Sequence, residues 1–247
     1  MEPSTRTSTA TATTWPDNTD IGFYRGIIIA AFLTVALPLI EVAVVHLFGI
    51  GYTAETMRQA VIILPIHVVN LLLVGVVVSK WGHIHLRSLL WGKLPTWKES
   101  FKWGSVGALF GLTSFFKSMN SGYRFDNPEV NLFIFMVLVK VSVLTPLIEE
   151  IQDRAVLYAA LRKKGRLLAY IVSSVVFTVS HAQSYADLFF RGDMGLSTWQ
   201  VIGLFLAGLV FAHIYEKTGK LLLCIICHAM INGMEVIGYV AGYVFDV

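Results

Sequence analysis

Nine polar residues sit where an apolar chain should have none, and their types suit hydrolysis. Lys140, Glu149, Glu150, Asp153 and Arg154 fall in the apolar run 131–161, His181 in the run 167–182, and His228, Asn232 and Glu235 in the run 220–245. An ionised group in the middle of a membrane span costs at least about 2.5–3.5 kcal/mol, so a set of them needs a reason. Residues three or four apart share a helix face. That rule pairs Glu149 with Asp153, Glu150 with Arg154, Phe177 with His181, and His228 with Asn232, and Glu235 extends the last stripe. Arg154 can neutralise Glu150 within its own helix, which leaves Glu149 for another task. Two carboxylates as close as Glu149 and Asp153 resist joint ionisation.

A carboxylate and an imidazole together can take a proton from water. A second imidazole and a carboxamide can donate to an oxyanion. That is enough to hydrolyse a peptide without a covalent intermediate. A serine mechanism is less well supported: Ser180 is the sequence neighbour of His181 and points to another face, and Ser173 and Ser174 suit helix packing. Two histidines and a glutamate also form a known catalytic zinc set. A metal on Glu149, His181 and His228 is therefore the alternative, although the usual HExxH spacing is absent. Cys224 and Cys227 lack the second pair that a CxxC zinc site requires and read as small apolar helix residues.

The elements that must position these groups are membrane helices. Of the 247 residues 55% are hydrophobic and only 14% charged, against about 25% charged in a soluble domain, and the mean hydropathy is +0.67. About 20 apolar residues cross a bilayer. The apolar runs are 26–48, 60–79, 103–118, 131–161, 167–182, 199–215 and 220–245. The expected fold is all-α: a polytopic transmembrane helix bundle of seven spans, or eight if 131–161 (with Pro146 inside it) or 220–245 breaks. Residues 1–20, rich in Thr, Ser and Ala, read as a disordered tail, and the first run is too long and too polar, with Glu41, for a signal peptide. Residues 21–247 then form a single domain with its polar core in about 131–235. At a rise of 1.5 Å per residue, Glu149 and Glu150 lie about 18–20 Å from Arg162, His181 about 21 Å from Leu167, and His228 and Asn232 about 12–18 Å from Lys220. All are near the midplane and can meet.

The net charge of +3 is too small and too scattered for nucleic acid. Its placement sets an orientation. Lys80, Arg87, Lys93, Lys98 and Lys102, then Arg162, Lys163, Lys164 and Arg166, then Lys217 and Lys220 are 11 of the 19 basic residues. Seven spans put all three clusters on one side, with the N-terminal tail cytoplasmic. The alternate segments hold Arg58, Arg124 and Arg191 against Glu55, Asp126, Glu129, Asp187 and Asp193. Trp81, Trp91, Trp97 and Trp103 around the first basic loop predict an amphipathic interfacial segment. His67 and Asn70, after Pro65, read as helix-to-helix hydrogen bonding, His83 and His85 as solvated, and His46 and His213 as residues of span ends. Gly203, Gly208, Gly233, Gly238 and Gly242 suit close helix packing, and Gly233 would permit a bend after Asn232.

The order of motifs resembles a known family. Glu149-Glu150-Ile151-Gln152-Asp153-Arg154 reads EExxxR, Phe177 to His181 reads FxxxH, and His228 to Asn232 reads HxxxN. Three such motifs on three spans are similar to the CAAX protease and bacteriocin-processing (CPBP, or Abi) family of intramembrane proteases, which includes the Ras-converting CAAX endopeptidase. The resemblance covers about 131–235. It implies that Glu149 and His181 activate the attacking water, that His228 and Asn232 stabilise the oxyanion, and that Glu150 and Arg154 hold these groups in place, without a cofactor. Asp153 departs from the pattern, which usually has an aromatic residue there, and Ala155 stands where glycine is frequent. Asp153, Glu235 and Phe177 are candidate modulators of substrate binding or of ionisation at the site. Asp153 is also a candidate contact for a substrate cation, and Lys140 a candidate partner of Glu235 or Glu41.

The expected protein is thus an intramembrane endopeptidase in a prokaryotic plasma membrane, acting on a membrane-associated protein or peptide. A non-catalytic membrane scaffold or immunity protein on the same fold is the alternative. A transporter or proton relay would explain the polar stripe but not the motif order, and no inverted repeat is evident.

Overall fold

A computed structural model describes residues 21–39, 57–120, 138–182 and 192–245. The tail, Glu41, His46, Glu55, Arg124, Asp126, Glu129, Asp187 and Arg191 lie outside the described residues. Regular structure within them is entirely helical. Helix α1 (Phe23–Ala31) continues into a π-helical turn, Phe32–Ala36. It is followed by α2 (Met57–Lys80), the short α3 (Leu86–Trp91), and α4 (Trp97–Phe110) with α5 (Leu112–Met119) directly behind it. A continuous helix then runs through a π stretch (Lys140–Leu144), α6 (Thr145–Glu150), a second π stretch (Ile151–Tyr158) and α7 (Ala159–Arg162). The chain closes with α8 (Arg166–Ser180), α9 (Thr198–Thr218) and α10 (Leu221–Phe245). Across the described part of 131–161 the helix is unbroken despite Pro146, and α10 passes Gly233 without interruption.

By length and composition, α9 and α10 are apolar enough to cross a membrane, and shorter apolar helices occupy Phe23–Leu39, Leu64–Lys80 and Arg166–Ser180. The polarity of the bundle is inverted relative to a soluble protein. Leu72, Val76, Leu167, Trp199 and Val244 are exposed, while Glu150, Arg154, Asp153 and His228 are buried. Soluble monomers rarely show so much exposed apolar surface. Lipid is the solvent such a surface fits.

The three basic segments meet at one end of the bundle. Arg162 donates to Glu216 through Nε (2.9 Å) and Nη2 (3.0 Å), Tyr158 donates its hydroxyl to the same carboxylate (2.8 Å), and Arg166 lies 3.5 Å from it. Lys220 donates to both carboxylate oxygens of Glu99, at 2.7 and 2.8 Å. Glu99 also closes the capping box of α4: it accepts from the Thr96 N–H at 2.7 Å, and the Thr96 hydroxyl caps the Glu99 N–H. The bonds from Lys220 and Thr96 hold the Glu99 carboxyl down at about 2, below its usual 4.5. A depressed carboxyl stabilises the fold above the ordinary carboxylate range, and that contribution is lost only as pH falls through about 2. Around this end Trp81, Trp91 and Trp97 are exposed, as an interfacial segment requires. Trp103 instead packs edge-on against His213.

Close helix approach rests on particular glycines. A Cβ on Gly238 would run into the carbonyl oxygen of Phe115 on α5, and one on Gly107 into that of Cys227. Small residues let membrane helices pack backbone to backbone in this way. Gly203 has open space around it, so the expected packing role does not apply there. Gly238→Ala should therefore lower unfolding stability in detergent by about 1–3 kcal/mol, with Gly203→Ala close to neutral. Equal melting temperatures for the two variants would contradict this packing.

Candidate active site

Pro146 shapes the helix that carries most of the site. The Thr145 N–H bonds to Lys140 O, five residues back. In that register residue 146 should serve the carbonyl of Val141, but proline has no N–H. The orphaned Val141 oxygen is satisfied from outside: Asn232 donates Nδ2–H to it at 2.9 Å. A buried carbonyl needs a partner, and here a proline on one helix recruits an asparagine from another. Asn232 retains a second amide hydrogen. One turn later the helix widens again, over Ile151–Tyr158, and all eight residues of this stretch are buried. Such π segments are uncommon and concentrate at functional sites.

Glu150 is the centre of a fully buried relay. Arg154 Nε donates to its Oε2 at 2.9 Å, and its Oε1 faces His228 Nδ1 at 3.0 Å. A carboxylate only accepts, so Nδ1 of His228 carries the proton. The guanidinium of Arg154 lies 5.5 Å from the ring centres of both Phe177 and Phe211, and among the described residues its Nη atoms have no hydrogen-bond partner. Cation–π attraction is strongest in such desolvated settings. Phe211 also stacks on His228, with centroids 4.8 Å apart and planes at 19°. Phe177 packs edge-on to His228 and tilted against His181, at 5.5 and 4.6 Å.

Glu149 faces both imidazoles. Its Oε2 is 3.9 Å from His181 Nε2 and 3.7 Å from His228 Nε2, and it has no hydrogen-bond partner among the described residues. Both separations exceed a direct hydrogen bond. His181 follows the last turn of α8, and its Nδ1 lies 2.7 Å from Phe177 O. A carbonyl only accepts, so Nδ1 carries a proton, and Nε2 faces Glu149. Among the described residues no three His, Cys, Asp or Glu side chains form a group that could hold a metal ion.

Glu149, Glu150, Arg154, His181, His228 and Phe177 thus form one cluster, with Asn232 anchored beside it through Val141. Glu235 is not part of it. It is exposed, and its partner is Tyr239 at 3.5 Å rather than Lys140. Asp153 is 4% exposed and lines a cavity together with Glu149. Phe211 is a contributor that the sequence did not reveal, because a phenylalanine in an apolar span looks like any lipid-facing or packing residue. His67 and Asn70, expected to bridge helices, line the same cavity as Glu149. Both cysteines are free and buried.

Residues 129–234 match the family model described as type II CAAX prenyl endopeptidase Rce1-like. The match holds all three motifs and bears out the resemblance to the CAAX protease family over this segment. No curated protein and no solved structure matches the chain.

The Pro146–Val141–Asn232 arrangement predicts a coupled pair. Asn232→Ala strands a buried carbonyl and should cost about 1–3 kcal/mol of unfolding stability. In a Pro146→Ala background the new N–H serves Val141, and the same change should cost at least about 0.5 kcal/mol less. Equal costs in the two backgrounds, measured by equilibrium unfolding, would mean that Asn232 does not serve that carbonyl.

Proposed function

With the Rce1-like match over 129–234 as premise, we propose that the chain is an intramembrane glutamate-dependent endopeptidase acting on a membrane-associated protein or peptide. The observation that carries this reading is Glu149 Oε2 facing two imidazole Nε2 atoms at 3.7 and 3.9 Å. A water bound between Glu149 and His181 would give up a proton as its oxygen attacks the scissile carbonyl. The Nε2 of His181 and the carboxylate oxygen that faces it both suit a base. The proton then passes to the leaving amine as the C–N bond breaks.

His228 and Asn232 are the proposed oxyanion donors. Because Nδ1 of His228 is committed to Glu150, its Nε2 can donate only when the ring carries both protons. Arg154 holds Glu150 in place against that ring. Asn232 has one amide hydrogen left for the same purpose. On this reading Glu150 and Arg154 are positioning residues, and the water is activated by side chains without a cofactor. Zinc on Glu149, His181 and His228 is the competing assignment.

The same reading places seven helices across the bilayer, with the basic end of the bundle and the N-terminus in the cytoplasm. A single cysteine introduced at Lys163 should then react with a membrane-impermeant maleimide only in inverted vesicles, and labelling in intact cells would reverse the orientation.

Glu149→Gln, His181→Ala and His228→Ala should each lower cleavage at least about 100-fold while the protein still inserts. Membrane proteomics of cells with the wild-type protein and with Glu149→Gln should show a substrate that accumulates uncut in the variant. Identical proteomes would overturn the reading. Cleavage should also survive dialysis against a zinc chelator, and loss that zinc restores would favour the metal.

A further inference from the structure

A cavity of about 270 Å³ opens beside the cluster, between the catalytic helix, the end of the first helix, and α2. Drug-sized pockets run from about 300 to 1,000 Å³, so this one suits a single side chain rather than a lipid chain. Its walls differ. Leu33, Leu37 and Ile148 form an apolar side, while Glu149 and Asp153 place two carboxylates one turn apart on the other.

Asp153 is the unusual member. It is 4% exposed, and among the described residues its carboxylate has no hydrogen-bond partner. A buried carboxylate without a partner is costly. The nearest cation, Arg154, is taken up by Glu150. Among the described residues no lysine or arginine lines the cavity, and the only other titratable one in its wall is His67, which with Asn70 lines it from α2. Two carboxylates, no basic wall residue and an apolar side match one kind of occupant: a cationic head on an aliphatic stem, whose methylenes pack on apolar surface while the head meets the charge.

We infer that this cavity is the subsite for a lysine or arginine side chain of the substrate, next to the scissile bond, with Asp153 as its counter-ion. Glu149 belongs both to the cavity and to the histidine cluster, which puts the bound side chain adjacent to the reacting carbonyl. The inference deepens the proteolytic reading and rests on it for the word substrate. Asp153 is a specificity residue here; the hydrolytic step does not pass through it.

The test has two arms, both on the full chain in nanodiscs. In the first, n-butylammonium chloride should raise the melting temperature by about 3 °C at a concentration near ten times its Kd, while butan-1-ol and sodium chloride should not. The shift should vanish in Asp153→Asn and persist in Asp153→Glu. The wild-type comparison stands even if a variant fails to fold. No shift with butylammonium, or a shift only with zinc or magnesium chloride, overturns the inference. In the second arm, a membrane-anchored peptide library should be cut with at least about tenfold higher kcat/KM when one flanking position is lysine or arginine rather than norleucine. Asp153→Lys should invert that preference towards aspartate and glutamate. Cleavage indifferent to basic residues overturns the subsite and leaves the protease. A butylammonium shift in a protein that cuts no peptide overturns the protease and leaves the cation site.

Discussion

The buried bridge from Arg154 through Glu150 to His228 is the constraint on which the rest of the molecule depends. None of the three side chains has water to fall back on, and removing one partner of a buried ion pair typically costs about 3–5 kcal/mol because the other charge is stranded. The surroundings are arranged around that risk. Phe177 and Phe211 pack edge-on to each other with the guanidinium 5.5 Å from both rings, Phe211 stacks on the imidazole, and the widened helix over Ile151–Tyr158 is buried along its whole length. With Glu150 compensated, Glu149 is left facing the two imidazoles. Two adjacent glutamates thus have different environments: Glu150 is bonded to Arg154 and His228, while Oε2 of Glu149 has no hydrogen-bond partner among the described residues.

The backbone contributes as much as the side chains. Pro146 leaves one carbonyl without its helical partner, and that carbonyl positions Asn232. An irregularity in one helix thereby fixes the place of an asparagine in another. Polar backbone inside a membrane must be satisfied internally, so helix α10 has to pass where its asparagine can reach Val141. Gly107 and Gly238 allow α10 to come that close to its neighbours. Far from the cluster, the Arg162–Glu216 and Lys220–Glu99 pairs tie the helix ends together at the basic end of the bundle.

The sidedness of the site also follows from packing. One side of Glu149 faces the imidazoles and the other faces a cavity of about 270 Å³. Glu149 is partly exposed where its neighbour Glu150 is fully buried. Asp153, where the family pattern usually has an aromatic residue, puts a polar group into what would be an apolar wall.

Much of this was legible in the residues alone. The all-helical membrane class followed from a charge fraction too low for a wet surface. The Glu150–Arg154 pair followed from a spacing of four, and the likeness to CAAX proteases from three motifs in order. These are local or compositional properties, and one chain states them without folding. What only the tertiary structure decided is which groups face one another in space. It set which imidazole nitrogen carries a proton, since that depends on whether a carboxylate or a carbonyl lies opposite. It brought Phe211 onto His228, turned Glu235 away to Tyr239, and set His67 and Asn70 across a cavity from Asp153. A phenylalanine or an asparagine in an apolar span gives no sign of its neighbours, because helical periodicity fixes the face a residue occupies but not what the next helix presents to it.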